Sequence, residues 1–173
     1  MDLESRDTVM YFIACQKERR ELDMKVAIAN DHAGVKLKDA LKGWMEEHGY
    51  EVINLGTDGE KSTDYPDYVR EAAVLVQEGK AAFGIVICGT GIGASITANK
   101  FKGVHAALCY SVFTAKMARN HNNANVIALG ARTTHEDDAI AMVKTFLSEQ
   151  FYGDRHARRV DKILSIEQQN FNA

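Results

Sequence analysis

Ile85-Val86-Ile87-Cys88-Gly89-Thr90-Gly91-Ile92-Gly93-Ala94-Ser95 is the stretch on which the fold turns. A β-branched run leads into a cysteine, and glycines at 89, 91 and 93 follow at once. Such a run, bounded by turn residues, reads as a parallel strand buried on both faces. Ala94-Ser95-Ile96-Thr97-Ala98-Asn99-Lys100 then reads as a helix. Strand, glycine turn and helix together place the Cys88 thiol at the carboxyl end of a strand, the edge where open α/β sheets bind ligands. The helix start behind it offers unpaired N–H groups and the positive end of the helix dipole. Two readings of Cys88 stand side by side: a reactive thiolate, or a small buried hydrophobe beside a turn that merely needs glycine.

The same pattern recurs on either side. Lys25-Val26-Ala27-Ile28-Ala29-Asn30 reads as a first strand, followed by Asp31-His32-Ala33-Gly34. A helix over 35–48 carries Val35, Leu37, Leu41, Trp44 and Met45 at helical spacing. A second strand spans 51–55, and a polar loop runs to Asp64. Asp64-Tyr65-Pro66 opens the next helix, with Asp64 near the cap and Pro66 in the first turn. Beyond the third strand, 83–88, the helix is expected to end near Phe101-Lys102-Gly103, ahead of a fourth strand over 104–109. Ser111 caps a helix over 112–120, and His121-Asn122-Asn123-Ala124-Asn125 follows it. A fifth strand, 126–129, closes in Gly130-Ala131-Arg132, and a helix spans 137–150. A final helix, 155–169, opens with Arg155-His156-Ala157-Arg158-Arg159. A basic first turn opposes the helix dipole, which a bound anion would relieve; a solvated surface helix is the other reading.

Five strands alternating with helices give an α/β single domain: a doubly wound five-stranded parallel sheet, a Rossmann-like three-layer sandwich with a C-terminal helix. Right-handed crossovers gather the ends of strands 1, 3, 4 and 5 along one edge. Asp31-His32, Cys88, Tyr110-Ser111 and Arg132 come just after those ends.

The 173 residues, 46% of them hydrophobic, suffice for one real core. A net charge of −3 with no basic block argues against a nucleic-acid-binding surface. No apolar run approaches a membrane span. Three widely spaced cysteines make neither a disulfide framework nor a C-x-x-C metal site, and a reducing cytoplasm is their natural setting. A dinucleotide fingerprint fails at Ala94, where the last glycine belongs, and a thiol phosphatase loop fails at the same residue for want of arginine. Residues 1–23 read as an N-terminal extension ahead of the domain at 24–173, with Met24 the expected native start. The cluster Val9-Met10-Tyr11-Phe12-Ile13 is too short for a signal-peptide core.

Six motifs occur in order: Asn30-Asp31-His32-Ala33-Gly34, Thr63-Asp64-Tyr65-Pro66, Ile87 through Gly93, Asn99-Lys100, His121 through Asn125, and Arg155-His156 with Arg159-Val160. This series resembles ribose-5-phosphate isomerase type B, of the family that also includes the galactose-6-phosphate isomerase subunits. The resemblance implies interconversion of ribose 5-phosphate and ribulose 5-phosphate through a cis-enediolate, with no metal or organic cofactor. It implies that Cys88 is the base at C2 and that the backbone N–H groups of Gly89, Thr90, Gly91, Ile92 and Gly93 hold the oxyanion, with Thr90 assisting proton transfer. His121 opens the sugar ring, Asp31 orients hydroxyls and Asn122 binds sugar oxygens. His32, Arg132, Arg155 and Arg159 hold the phosphate, Tyr65 is a wall residue, and His156 either caps or contacts substrate. The resemblance further implies a homodimer or homotetramer with a shared site, the His121 region and Arg132 coming from the partner. Family members without the loop cysteine carry a later carboxylate; 93–97 has none here, so the cysteine version applies. Strand 1 ends in Asn30, where Cys or Ser is more usual. Allose 6-phosphate and galactose 6-phosphate isomerases are the alternatives within the class, and a non-catalytic sugar-phosphate-binding module is the alternative outside it.

Overall fold

The computed structural model describes residues 24–171, so the expected extension at 1–23 lies outside the described residues. Five strands, β1 (Lys25–Asn30), β2 (Glu51–Asn54), β3 (Phe83–Cys88), β4 (Ala106–Leu108) and β5 (Val126–Gly130), form one sheet in the order β2-β1-β3-β5-β4. Every pairing is parallel. Among the described residues the helices are α1 (Val35–Glu47), α2 (Tyr65–Gln77), α3 (Ile92–Ala98), α4 (Val112–Asn122), α5 (Glu136–Ser148) and α6 (Asp154–Phe171), with a 3₁₀ turn at His32–Gly34. None of them is long and apolar enough to cross a membrane.

Strand residues alternate between the faces of the sheet. Val26, Ile28, Ile85, Ile87, Ile127 and Leu129 pack with Leu37, Leu41 and Met45 of α1 and with Met142, Val143 and Phe146 of α5. Ala27, Ala29, Val86, Cys88, Val126 and Ala128 face the other way, against Val69, Ala72, Ala73 and Val76 of α2 and Ala94 and Ala98 of α3. Each fully buried Leu or Ile contributes about 1.5–3 kcal/mol over an exposed one, so the first face carries most of the hydrophobic stabilisation. The second face uses small side chains, which let α2 and α3 lie close to the sheet; Cys88 belongs to that face.

The handedness of the crossovers explains this sorting. The β1-to-β2 and β4-to-β5 connections move across the sheet in one direction, so right-handed crossovers put α1 and α4 on the same face. The connections to β3 and β4 move the opposite way and put α2 and α3 on the other. The direction of winding reverses between β1 and β3, which opens a crevice at their carboxyl ends.

The bounds of α3, β4 and α4 differ from the sequence expectation. Helix α3 starts at Ile92, earlier than 94, because Gly91 at φ 78° completes the turn by itself. It ends at Ala98 because the Asn99 side chain stops it, donating to the carbonyls of Ser95 (2.9 Å) and Ala106 (2.8 Å) and accepting from the Ala106 N–H (2.9 Å). Strand β4 is confined to Ala106–Leu108, being an edge strand paired only with β5. Helix α4 runs through His121 and Asn122, and Asn123 at φ 48° provides its left-handed C-cap. Its start is as expected: the Ser111 hydroxyl accepts from the Thr114 N–H (3.2 Å) and the Thr114 hydroxyl from the Ser111 N–H (3.1 Å). Asp64 stands at the N-cap position of α2, but its side chain makes no cap hydrogen bond.

Candidate active site

The crevice between β1 and β3 is a pocket of about 540 Å³, lined by Asp31, His32, Ala33, Tyr65, Cys88, Gly89, Thr90, Ile92, Gly93, Ile96 and Arg132. Cys88 forms its floor at 4% exposure. The Gly91 N–H donates to the Cys88 Sγ at 3.2 Å, which fixes the sulfur against the loop. Only glycine suits position 91: a Cβ there would come within 2.8 Å of the Leu129 carbonyl carbon and 2.6 Å of Leu108 Cδ1. At Gly93 the reason is different. The Tyr65 ring lies on it, with Cζ 2.4 Å from where a Cβ would stand.

Backbone ties place the remaining walls. The Ala131 N–H donates to the Cys88 carbonyl and the Arg132 N–H to the Gly89 carbonyl, both at 2.9 Å. This stitches the turn after β5 to the cysteine loop and lays the Arg132 guanidinium over Gly89, 3.5 Å from the vacant Cβ position. Asp31 both caps and lines: its Oδ1 accepts the Ala33 N–H at 2.9 Å while the residue faces the pocket. The Thr63 N–H donates to His32 Nδ1 at 3.2 Å. A ring nitrogen that accepts carries no proton, so the neutral His32 ring holds its proton on Nε2 and is a donor there.

The loop that supplies Thr63 is itself anchored. Asn30, fully buried, donates from Nδ2 to the carbonyls of Asp31 (2.8 Å) and Thr57 (3.0 Å). A cysteine or serine could not bridge both. Lys38, 1% exposed, reaches from α1 to Asp58 of the same loop and to Asp39 at 3.1 Å. Burial pulls the Lys38 ammonium down, but the two carboxylates outweigh it and leave the group above its ordinary value.

A second cluster sits at the other edge of the sheet. Helix α4 begins after the carboxyl end of β4 and runs back to the start of β5, so its last turn lies at the amino edge. There His121 stacks on His156, with ring centroids 4.0 Å apart and planes 9° apart, and meets Tyr152 edge-on at 6.0 Å. The Tyr152 N–H donates to the Asn120 carbonyl (3.0 Å) and holds the start of α6 against α4. The Arg155 Nε–H donates to His156 Nε2 at 3.3 Å. Burial first, then the neighbouring His121, and then the positive charges of Arg155 and Arg159 hold the His156 imidazole below its ordinary range, with Asp154 opposing. Asn122 lines a separate cavity of about 250 Å³ with Asn99, His105 and Ile163. Strands rise about 3.3 Å per residue, so β3 and β5 hold the two edges ~15–20 Å apart.

A family model described as ribose/galactose isomerase matches residues 26–163. The chain belongs to the ribose/galactose isomerase family. Within that family, ribose-5-phosphate isomerase B of Escherichia coli is 42% identical over 144 residues, covering 83% of this chain and 97% of that protein. Ribose-5-phosphate isomerase B of Clostridium thermocellum superposes with a TM-score of 0.83 at 46% identity, covering 84% of this chain and 99% of that one. The Mycoplasma genitalium structure, solved with bound ribulose-5-phosphate, superposes with a TM-score of 0.81 at 40% identity, covering 83% and 96%.

Of the residues named from the sequence, Asp31, His32, Tyr65, Cys88, Gly89, Thr90, Ile92, Gly93 and Arg132 line one pocket, and Gly91 holds its sulfur. Arg132 corrects an expectation. The family resemblance assigned it to the partner, but the turn tied to Cys88 and Gly89 puts it in the pocket of its own chain. His121, Asn122, Arg155 and Arg159 are not brought to that pocket within one chain. Ala33 and Ile96 were missed; Ile96 is one helical turn past Ile92, a spacing visible in the sequence. The roles of Asn30, Lys38 and the Thr63 N–H had no local signal, since each acts across a long loop. Among the described residues no group of three or more His, Cys, Asp or Glu side chains is placed to hold a metal ion.

Proposed function

We propose that this chain interconverts D-ribose 5-phosphate and D-ribulose 5-phosphate through a cis-enediolate, in a site completed by a second copy of itself. The observation that carries the reading is the Cys88 Sγ, held by the Gly91 N–H at the floor of a pocket with His32 and Arg132 on its walls. His121 of the second copy takes the proton of the C1 hydroxyl and delivers one to the ring oxygen, which frees the C1 aldehyde. Cys88, as thiolate, removes the C2 proton and returns it to C1. The enediolate charge that develops between these steps falls on oxygens facing the loop N–H groups of 89–93; removing one such donor typically costs about 3–4 kcal/mol. Thr90 passes the hydroxyl proton between O1 and O2. Asp31 and Asn122 orient the sugar hydroxyls. The phosphate lies between His32 Nε2, Arg132 and the guanidinium forks of Arg155 and Arg159. Protons only change places, so no redox partner enters.

The shared site is supported by two features. His121, Arg155 and Arg159 are too far from Cys88 in one chain to meet the same pentose phosphate, as the strand lengths show. Around the edge strand β4, Ile92 and Ile96 of α3, Leu108 of the strand itself, and Tyr110 (77% exposed), Val112 and Phe113 (69%) after it are large apolar side chains left exposed. Exposed apolar surface gathered at a sheet edge is what an association surface offers. The free thiols of Cys88 and Cys109 fit a reducing compartment, and the cytoplasm is the proposed location.

Complementation tests both parts. Cys88→Ala and His121→Ala each lower turnover of ribose 5-phosphate about 100-fold or more. Mixed, unfolded together and refolded, they form pairs with one intact site, and about a quarter of wild-type activity returns. No recovery would show that each chain carries a whole site. Wild-type turnover by Cys88→Ala would remove the thiol base, and turnover of allose 6-phosphate alone would move the substrate to a six-carbon sugar.

A further inference from the structure

His156 is 7% exposed, carries no role in the chemistry above, and touches both an imidazole and a guanidinium assigned to it. Arg155 cannot accept a hydrogen bond, so its Nε–H makes His156 Nε2 the acceptor and leaves the neutral ring its proton on Nδ1. A second proton on His156 would break that bond and set a cation between Arg155 and Arg159 on α6 and against His121 on α4. Asp154 is the acidic group beside it, and it is outweighed. The ring is therefore pinned at one nitrogen and offers His121 a flat, uncharged face, 4.0 Å away and 9° from parallel. The Tyr152 edge closes a further side of His121. Without such a face, an imidazole on the last turn of a helix turns freely between rotamers.

We propose that His156 is a positioning residue: its ring fixes the plane of His121 for sugar-ring opening, while its Nε2 fixes Arg155 for the phosphate. This rests on the reading in which His121 opens the ring and Arg155 binds phosphate. The two tasks use different parts of one side chain, so different substitutions separate them. His156→Gln keeps an acceptor within reach of Arg155 and removes the flat ring. His156→Phe keeps the ring and removes the acceptor.

Ring opening has a kinetic signature that a merely structural role does not share. When the enzyme no longer opens the ring, the rate from ribose 5-phosphate stops rising in proportion to enzyme concentration, because spontaneous ring opening becomes limiting. The His156→Gln protein is expected to show this curvature, with kcat down about tenfold, the scale of a lost ring stack, and KM little changed. The His156→Phe protein is expected to remain proportional to enzyme, with kcat near wild type and KM raised about tenfold, the scale of a lost charge-assisted hydrogen bond. His121→Ala is the reference and must itself curve. If His121→Ala curves and His156→Gln stays proportional, the positioning role is overturned while His121 keeps its own. If both His156 variants lose kcat and KM together, the role is structural and the proposal fails. If His121→Ala stays proportional, the underlying reading of His121 fails first, whatever the His156 variants do.

Discussion

Gly91→Ala, with Gly103→Ala as its control, tests what the missing side chain does in the cysteine loop. The two glycines share a backbone conformation, φ 78° and φ 75°. Placing an L side chain there costs about 1–2 kcal/mol in either case. Their surroundings differ. A Cβ on Gly103 meets nothing within 4 Å, whereas one on Gly91 stands 2.6 Å from Leu108 Cδ1, 2.8 Å from the Leu129 carbonyl carbon and 3.1 Å from the Gly130 nitrogen. Leu108 can swing aside at its far end, but the β5 backbone cannot, since β5 is paired on both sides. Overpacking of this kind adds about 1–3 kcal/mol. Gly103→Ala is then expected to lose about 1–2 kcal/mol and Gly91→Ala about 2–5, which at a urea m-value of ~2 kcal/mol/M separates their midpoints by roughly 0.5–1.5 M. Function adds a second readout. The Gly91 N–H holds the Cys88 Sγ at 3.2 Å, so a loop pushed off β5 also misplaces the base. Misplacement by ~1 Å is enough to lower turnover of ribose 5-phosphate about 100-fold, while the Gly103→Ala protein keeps wild-type turnover. Equal midpoints for the two variants would refute the crowding argument. A Gly91→Ala protein that is destabilised yet fully active would refute the link between loop and sulfur.

Two further outcomes follow from the charged and buried groups. The hydrogen bond from Lys38, and then that from Asn54, hold the Asp58 carboxyl below its ordinary 3.8. A depressed folded value means that the contribution is present above the unfolded one and is lost as pH falls through the folded one, so the 56–64 loop loosens below about pH 4. In acid titrations followed by urea midpoint, Asp58→Asn should flatten that loss, and curves parallel to wild type would show that the contact contributes nothing. Burial, against a hydrogen bond from Thr114, pushes the Cys109 thiol up to about 11. At about pH 8 iodoacetamide should therefore leave Cys109 unmodified in the folded protein and label it in urea, by peptide mass mapping; labelling of the folded form would contradict the burial.

The cysteine pocket was readable before the fold was known because its parts obey a local rule. Asp31 and His32 follow one strand, Cys88 to Gly93 follow another, and a parallel sheet puts such ends on one edge. Tyr65 was named only through the family resemblance, and the start of α2 at that residue sets its ring in the pocket wall. The boundaries of α3 were less readable, since Gly91 and Asn99 act through a positive φ and a side-chain bond to Ala106. The assignment of Arg132 to a partner failed for a related reason: two backbone bonds from the turn after β5 to the cysteine loop decide its place.

The alternation of strand-forming with helix-forming stretches determined by itself that a parallel sheet would form, and the β-branched run ending at Cys88 put the thiol at a carboxyl end of it. That information is local, written in short stretches of the chain. The insertion of β5 between β3 and β4, the anchoring of the 56–64 loop by Asn30 and Lys38, and the stack of His121 on His156 were decided only in the tertiary structure. Each of them joins residues far apart in the chain, and their contact depends on how whole helices dock, a property no single stretch of sequence carries.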